Sequence, residues 1–394
     1  MSIRIAKVIT MAAALSMGAA ACVSVTDNST TVQQAAGLPT TSEAALRPYY
    51  QYLRAELDLP QAGPSRALPM EQAITRFGFG SCNTQDGPQD IWSVVGAANP
   101  QFFMPIGDNV YGDRGWDGRP DLASFIAAYR KQAGHQQFAA FRATTPMMAT
   151  WDDHDYGPND SGGEFYAREF SETLFETFWN APAEVRGRPG VYQSVTMGPA
   201  GQRVQVIMLD TRFFRTNLVR LPRSEERRPL GNYAPNTDPA ANMLGDVQWA
   251  WLADELAEPA DLRIVVSSIQ VLTEAHQFES WANMPLQRAR LLQMLGARAG
   301  GGLLMLSGDR HSAGMYSAVL PGSDETAWEF TSSSMNLPFA EGDIGEREPD
   351  PLRRTPMIAD ANFGLVDIDW AGRTYTMRLM GEDGAEILSQ PVSF

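Results

Sequence analysis

Cysteine and histidine are scarce in this sequence, which has two cysteines and four histidines among 394 residues. If Cys22 is removed or modified together with an export signal, as argued below, Cys82 has no partner and an intramolecular disulfide is excluded. A lone thiol outside the cytoplasm is a liability unless it is buried or occupied by another group. Cys82 therefore has two open interpretations, a small buried apolar residue or a ligand.

Positive charge is also in short supply, with 31 Lys and Arg against 46 Asp and Glu and a net charge of −15. Such a chain repels a phosphate backbone, which argues against a nucleic acid as a bulk partner. An anionic substrate would need a local cluster of cations, and bound metals are one way to supply it. Hydrophobic residues make up 44% of the chain, an ordinary globular balance at a length that allows a large core.

The sequence lacks any stretch long and apolar enough for a lasting transmembrane helix. Arg4 and Lys7 precede an apolar and small-residue segment from Val8 to Ala21, a pattern typical of an export signal. The following "GAAAC" resembles a bacterial lipoprotein cleavage box with Cys22 as the lipidated residue, and plain cleavage near the "AAA" run is the alternative. The protein is therefore expected in the periplasm or as a lipoprotein anchored at the cell surface.

The domain organisation follows from composition. Residues 1–22 are assigned to the signal peptide, and the polar segment at 23–70 to a tether or N-terminal arm. No internal repeat and no clear linker follow residue 70. Residues 71–394 are therefore predicted to form one catalytic domain.

Six short apolar runs each end in a polar cluster, the pattern of buried strands that lead into a site. They are "RFGFGSCN", "QFFMPIGDNVYGD", "PMMATWDDHD", "VQVIMLDTRFFR", "RIVVSSIQVL" and "LLMLSGDRHSAG". Helical patterns between them, such as "DLASFIAAYRKQ" and "PLQRARLLQMLGA", predict an α/β sheet that binds ligands beyond the carboxyl ends of its strands. The later runs "WEFTSSS", "FGLVDIDW", "TYTMRLM" and "AEILSQPV" predict a second, antiparallel sheet.

The stretch "TPMMATWDDHDYGPND" places Asp152, Asp153, His154 and Asp155 directly after an apolar run. Carboxylates this close repel one another and are costly to desolvate, so either water solvates them or a cation holds them together. Alternation along an extended chain would send Asp153 to a metal and His154 toward substrate.

Two further clusters show ligand-like spacing. Gly107 lets the chain turn sharply before Asp108, and a turn can direct Asp108 and Tyr111 to one point. Asp309 and His311 are two residues apart, so an extended loop would aim both the same way. A two-cation site for phosphoryl hydrolysis needs a bridging carboxylate and terminal ligands, which converging strand ends would supply.

Taken together, these motifs resemble the alkaline phosphatase D (PhoD-like) family of the metallophosphoesterase superfamily, in particular its short bacterial members. The resemblance runs in order over roughly residues 72–390 and rests on "GSC" (80–82), "GDNVYGD" (107–113), "TWDDHDYGPND" (150–160), "LDTR" (209–212) and "SGDRHS" (307–312). It implies a four-layer αββα sandwich of the calcineurin-like, metallophosphoesterase type, with the metal site at the top of the two sheets.

The resemblance also implies a ligand set. Cys82, Asp108 and Tyr111 would bind Fe³⁺, for which an anionic thiolate and phenolate are suitable ligands. Asp108 would bridge to a second ion, Ca²⁺. The other protein ligands of that ion, or residues near it, would be Asp153, Asp309 and His311.

The implied reaction is hydrolysis of phosphomonoesters, phosphodiesters or both by in-line attack of a metal-bound hydroxide. His154 would contact a phosphoryl oxygen or protonate the leaving group, and Asp155 could orient it. Arg212 would clamp the phosphate or, equally well, pair with an acid structurally. Since only isolated Arg4 and Lys7 stand where longer family members carry a twin-arginine signal, export in unfolded form with metal loading outside the cytoplasm is expected.

Other interpretations remain open. A non-catalytic metal-binding envelope protein on the same fold should have lost a ligand or His154, and none is missing. A hydrolase with Ser81 as nucleophile lacks a G-x-S-x-G elbow. Residues 273–285 could form an apolar wall beside the site or a packed surface loop. The pattern favours no oligomeric state.

Overall fold

The apolar runs build two β-sheets in the computed structural model, which describes residues 41–223, 230–339 and 348–394. The predicted signal peptide with Cys22, and the arm up to residue 40, lie outside the described residues. The strands are β1 (Arg76–Gly80), β2 (Phe103–Pro105), β3 (Gln193–Met197), β4 (Val204–Met208), β5 (Val219–Arg220), β6 (Tyr233–Ala234), β7 (Leu262–Val266), β8 (Gly302–Ser307), β9 (Gly314–Val319), β10 (Thr326–Thr331), β11 (Asn362–Asp369), β12 (Thr374–Gly381) and β13 (Glu386–Ser393).

The two sheets differ in strand direction. One has the order β13-β12-β11-β1-β2, in which β11, β12 and β13 run antiparallel and β1 pairs parallel with β2. The other has the order β3-β4-β7-β8-β10-β9, with four central parallel strands and an antiparallel strand at each edge. Strands β5 and β6 form a separate hairpin. The predicted second sheet is confirmed for β11 to β13, whereas "WEFTSSS" contributes β10 to the mainly parallel sheet.

One face of each sheet contributes to a shared apolar core. Phe77 and Phe79 of β1 belong to the same buried cluster as Leu304 and Leu306 of β8. The ring of Phe79 meets that of Phe330 on β10 edge-on, with ring centroids 5.0 Å apart. This alternation of buried residues along each strand is the period of a strand with two different faces.

Helices pack on the other face of each sheet. Leu303 and Met305 of β8 cluster with Trp249 and Leu291 of two helices, and Phe363 of β11 clusters with other helices. The α-helices are α1 (Ser42–Glu56), α2 (Ile91–Ala97), α3 (Ala123–Ala133), α4 (Gln136–Thr144), α5 (Asp153–Tyr156), α6 (Arg168–Trp179), α7 (Ala183–Arg186), α8 (Gly245–Ala257) and α9 (Pro285–Gly296).

Part of the predicted arm, Ser42–Glu56, is helical and packed. Thr41 caps α1 by accepting a hydrogen bond from Ala44 N at 3.2 Å. Tyr50 is buried, and its ring stacks on that of Phe170 in α6 with centroids 5.4 Å apart. Residues 42–56 are therefore docked on the domain rather than extended as a free tether.

The run before the acidic stretch is not a regular strand. Met147 and Thr150 make single parallel bridges to Phe103 and Ile106, so the segment lies beside β2 without joining the sheet as a named strand. Pro146 has no N–H to give to a ladder, which explains part of this irregularity.

Candidate metal centre

The polar clusters predicted at separate strand ends lie together. Cys82 follows β1, Asp108 follows β2, and Asp309 and His311 follow β8 of the other sheet. Asp153 opens the short helix α5 after the irregular segment beside β2. Because these carboxyl ends meet at one edge of the paired sheets, side chains from distant parts of the sequence converge.

The backbone at this edge is unusual. Cys82, Asp108, Asp309 and His311 all have positive φ, between 49° and 65°, a left-handed conformation that is uncommon for residues other than glycine. Five other non-glycine residues of the described chain share this property. Strained backbone of this kind concentrates at functional sites, where surrounding structure holds it in place.

Gly107 explains how Asp108 reaches its position. Its φ is 116°, and a Cβ here would lie 2.6 Å from the Cβ of Asp152. Only glycine combines this conformation with so close an approach. The predicted sharp turn before Asp108 is confirmed.

A first group of possible ligands surrounds Asp108. The Cys82 thiol donates to Asp108 Oδ2 over 3.5 Å, and the Tyr111 hydroxyl donates to the same oxygen over 3.1 Å. Ligand atoms of Cys82, Asp108 and His311 all lie within 4.8 Å of one another. The predicted neighbours Cys82, Asp108 and Tyr111 are thus in direct contact.

A second group shares Asp108 with the first. Asp108, Asp153 and His154 place ligand atoms within 4.8 Å of one another, as do Asp152, Asp153 and Asp309. Asp108 therefore lies between the two groups, where a carboxylate that bridges two cations would have to be. Asp153 is held by hydrogen bonds from the backbone N–H of Asp160 (2.7 Å) and His154 (2.9 Å).

The electrostatics of the site favour a cation. Burial raises the pKa of Cys82, Asp108 and Asp309, and neighbouring acids raise it further. Asp108 Oδ1 is buried and has no hydrogen-bond partner among the described residues. Buried polar atoms are normally satisfied, so an oxygen without a hydrogen-bond partner here, beside a thiol and a phenol, suits the binding of a cation. The donor set of thiol, phenol, carboxylates and imidazole is one that metals bind.

His311 presents one ring nitrogen to the site. Its Nδ1 lies 2.5 Å from the backbone oxygen of Leu337, which only an N–H at Nδ1 can contact favourably. That tautomer leaves the lone pair on Nε2 free for a metal. Burial lowers the pKa of His311, which also favours the neutral, ligating form.

His154 is oriented by Asp113, a residue at the end of the run "QFFMPIGDNVYGD" to which the sequence interpretation gave no role. Its Nδ1 lies 2.8 Å from Asp113 Oδ1, and both side chains are 15% exposed. Burial opposes a charge on the imidazole, but Asp153, Asp108 and Asp113 outweigh it and raise the pKa of His154 to about 11. Asp113 belongs to the second "GD" of "GDNVYGD", a repeated motif that could have identified it.

The assignment of Asp155 as the orienting residue is wrong. Residues 153–156 form a helical turn rather than an extended segment, so neighbouring side chains do not alternate. Asp155 instead accepts hydrogen bonds from the backbone N–H groups of Asn109 and Asp152, both at 2.9 Å. Asp155 joins the loop after β2 to the start of α5 and has a structural role.

Arg212 pairs with acids. It is fully buried, and its Nε lies 2.6 Å from Asp152 Oδ1 while Nη2 lies 2.5 Å from Glu279 Oε2. Arg215 pairs with the same Glu279. Two roles were left open for Arg212, and the geometry supports structural pairing with acids. Its N–H donors are used within the protein, so they are not available to bind a phosphate.

Glu279 and Ser333 were also missed. Glu279 lies in "FESWANMP", whose Trp281 and Met284 are buried in the core, so residues 273–285 are packed and form no apolar wall. Ser333 Oγ lies 3.0 Å from Cys82 Sγ, and it also accepts from His311 N at 2.9 Å. No local sequence signal pointed to either residue, since both act through partners far away in the chain.

Comparison with known proteins finds relatives among PhoD-like phosphatases. Residues 77–379 match the model of the PhoD-like phosphatase family. Alkaline phosphatase D of Bacillus subtilis (strain 168) is 21% identical over 315 residues, which are 67% of this chain and 51% of that protein, so the match spans about half the length of the curated relative. A solved structure titled "Structure of PhoD" superposes with a TM-score of 0.62 at 16% identity, covering 85% of this chain and 70% of that one, and shows a shared mixed α/β fold.

In the part of the chain that the structure describes, no helix has the length and apolar character to cross a membrane.

Proposed function

This chain belongs to the PhoD-like phosphatase family, and from that premise we propose that it is a metal-dependent phosphoesterase that acts outside the cytoplasm. The observation that carries the proposal is the shared position of Asp108, which touches Cys82 and Tyr111 on one side and lies within 4.8 Å of Asp153 and His154 on the other. This arrangement suits two neighbouring cations.

The residues present fit the metals that the family suggests. We propose that Cys82, Asp108 and Tyr111 hold Fe³⁺, with His311, whose ligand atom lies within 4.8 Å of those of Cys82 and Asp108, beside the same ion. Asp108, Asp153 and Asp309 would hold Ca²⁺ or lie beside it. Thiolate and phenolate are suitable ligands for a ferric ion, while carboxylates suit a hard divalent ion. Bound at these positions, such ions lower the pKa of a water and neutralise charge on a phosphoryl group.

The chain's own residues would handle the proton. His154 is mostly buried, and its Nδ1–H donates to Asp113, so Nε2 is the nitrogen that can carry a proton to the leaving-group oxygen. Asp113 fixes the tautomer and orientation of the ring, and its negative charge favours the protonated form. The ring of Tyr111 supports the imidazole from 4.3 Å.

Arg212 has a supporting part in this scheme. Its pairing with Asp152 and Glu279 neutralises carboxylates directly behind Asp153, whose carboxylate lies 3.9 Å away. Burial would raise the pKa of Asp153, but the nearby charges of His154 and Arg212 lower it and keep it ionised for a metal.

The fold and location are part of the same proposal. Three clusters of buried apolar side chains, one between the two sheets and one on the outer face of each sheet, support a four-layer αββα sandwich of the metallophosphoesterase type. We base export on the sequence pattern and on the family. The signal would be residues 1–22, followed either by a lipid anchor at Cys22 or by plain cleavage. The catalytic domain would then span 71–394, with 42–70 packed against it.

The test combines elemental analysis of the purified protein with turnover of p-nitrophenyl phosphate and bis(p-nitrophenyl) phosphate. We expect iron and calcium in the protein and hydrolysis of at least one ester, lost on chelation and regained on reloading. Metal-replete protein that hydrolyses neither ester would support the non-catalytic alternative instead.

A further inference from the structure

One arginine at the edge of the metal centre has no assigned role. Arg114 directly follows Asp113, the partner of His154, and its side chain is exposed. Its guanidinium carbon lies 4.3 Å from the centroid of the Tyr111 ring, and Nη1 is 3.4 Å from Thr84 Oγ1. Tyr111 in turn contacts Asp108 and lies against His154, so Arg114 borders the residues of the proposed reaction.

Four other cationic side chains of the described residues are already paired. Arg212 and Arg215 bind Glu279 within the protein, Arg310 lies 2.5 Å from Glu348, and Lys131 lies 2.7 Å from Asp86. No carboxylate of the described residues forms an ion pair with Arg114, whose guanidinium contacts the face of an aromatic ring and, at 3.4 Å, a hydroxyl oxygen.

Resting on the proposed function, we propose that Arg114 binds a terminal oxygen of the substrate's phosphoryl group and so takes the clamping role that the sequence interpretation gave to Arg212. A guanidinium offers several N–H donors in a plane and binds phosphate oxygens well, and stacking on an aromatic ring leaves those donors free at its edge. Exposure lets the side chain meet a substrate that enters from solvent.

The same geometry predicts a preference for phosphomonoesters. A monoester has three terminal oxygens and close to two negative charges near neutral pH, whereas a diester has two terminal oxygens and one charge. A monoester therefore offers a guanidinium one more terminal oxygen and about one more negative charge than a diester does. The contribution of Arg114 should therefore be larger for monoesters than for diesters.

Arg114→Ala tests the proposal, and Arg119→Ala is the matched control. Arg119 lies in the same loop, is half-exposed and pairs with Asp117 at 2.8 Å. We expect Arg114→Ala to lower kcat/KM for p-nitrophenyl phosphate about 10- to 100-fold, the value of a hydrogen bond to a charged group. The loss for bis(p-nitrophenyl) phosphate should be several-fold smaller, and inhibition by inorganic phosphate should weaken in parallel with the monoester loss.

Elemental analysis and calorimetric titration of inorganic phosphate separate the possible failures. Unchanged metal content with weaker phosphate binding in Arg114→Ala, and partial recovery in Arg114→Lys, would support the clamp.

If Arg114→Ala matches Arg119→Ala in phosphate affinity and in both esterase activities, the clamp is wrong while the phosphoesterase stands. If Arg114→Ala changes only the absorption spectrum of the metal site, Arg114 acts on Tyr111 alone and the clamp is again wrong. A wild-type protein that binds phosphate without hydrolysing any ester would overturn the proposed function, and the titration would still decide the role of Arg114.

Discussion

His154 and Asp113 form a hydrogen-bonded pair, with 2.8 Å between Nδ1 and Oδ1, that joins helix α5 to the loop after β2. Asp155, one residue away from His154 in the sequence, does not take this role because it is used to hold the start of α5. The pair therefore connects two segments that each also supply a proposed metal ligand. Its properties can be tested separately from those of the metals.

Asp113→Asn should keep an acceptor for His154 Nδ1–H but remove the negative charge that favours the protonated ring. The general acid must be protonated, so activity falls as pH rises through the pKa of His154. We expect the alkaline limb of the kcat profile to move to lower pH by about one unit, so that kcat falls, by up to about tenfold, only at pH values above the shifted limb. Asp117→Asn, on the exposed part of the same loop, is the control, and an unshifted limb in Asp113→Asn would show that Asp113 does not act through His154.

His154→Ala should lose turnover and keep its metals. The expected decrease in kcat is about 10²- to 10⁴-fold, the usual contribution of a general acid. The decrease should be smaller for p-nitrophenyl phosphate than for an alkyl phosphate, because p-nitrophenolate leaves without needing a proton. Equal losses for both leaving groups, measured alongside unchanged metal content, would count against proton donation by His154.

Tyr111→Phe should remove a visible absorption band if the phenol binds ferric iron, since that band is a charge transfer from phenolate to metal. Cys82→Ser should also lower iron content. Tyr375→Phe is the control, because Tyr375 is equally buried but its hydroxyl contacts Leu303 O at 3.0 Å, within the core. A band that persists unchanged in Tyr111→Phe would remove Tyr111 from the ligand set.

Glu279→Gln should destabilise the fold because it leaves Arg212 and Arg215 with one fewer buried charge partner. Breaking a buried pair costs about 3–5 kcal/mol of unfolding free energy. Glu274→Gln is a control from the same segment, since Glu274 pairs with Arg288 but is 66% exposed, and such a pair contributes about 0–1 kcal/mol. Urea unfolding of both variants measures the difference, and similar midpoints would show that the buried network is not a stabilising element.

Removal of the metals should make stability depend on pH. Burial raises the pKa of Asp155 from 3.8 to about 7 in the folded protein. Between these values the folded state holds protons that the unfolded state has released, so stability falls as pH rises. Chelated protein should therefore have a lower Tm at pH 7.5 than at pH 5, by about 5 °C or more.

Metal loading should restore part of the stability that the metal-free protein loses as pH rises. A bound cation favours the ionised forms of Asp108 and Asp309, whose pKa burial raises, so its stabilising effect should be greater at pH 7.5 than at pH 5. Differential scanning calorimetry with and without metal at both pH values measures this. A chelated protein whose Tm rises between pH 5 and pH 7.5 would contradict the assignment of buried, protonated carboxyls.

Much of the fold follows from local patterns. Runs such as "RFGFG" and "LLMLS" became β1 and β8, and Pro285 begins α9 as its first-turn position predicts. Apolar alternation and end signals depend on nearest neighbours, so they can be read without knowing the rest of the molecule. The irregular segment before Asp152 is where this reasoning failed, since an apolar run was not enough to form a strand there.

The sequence by itself determined which residue types stand at the strand ends, and therefore that Cys82, Asp108 and Asp309 could supply ligand atoms to a cation. Only the tertiary structure decided which partner each group meets. Arg212 turns to Asp152 and Glu279, and Asp113 holds His154, because pairing depends on distances between segments far apart in the chain. Spacing along a sequence limits local geometry, but it carries no information about which charges meet across the fold.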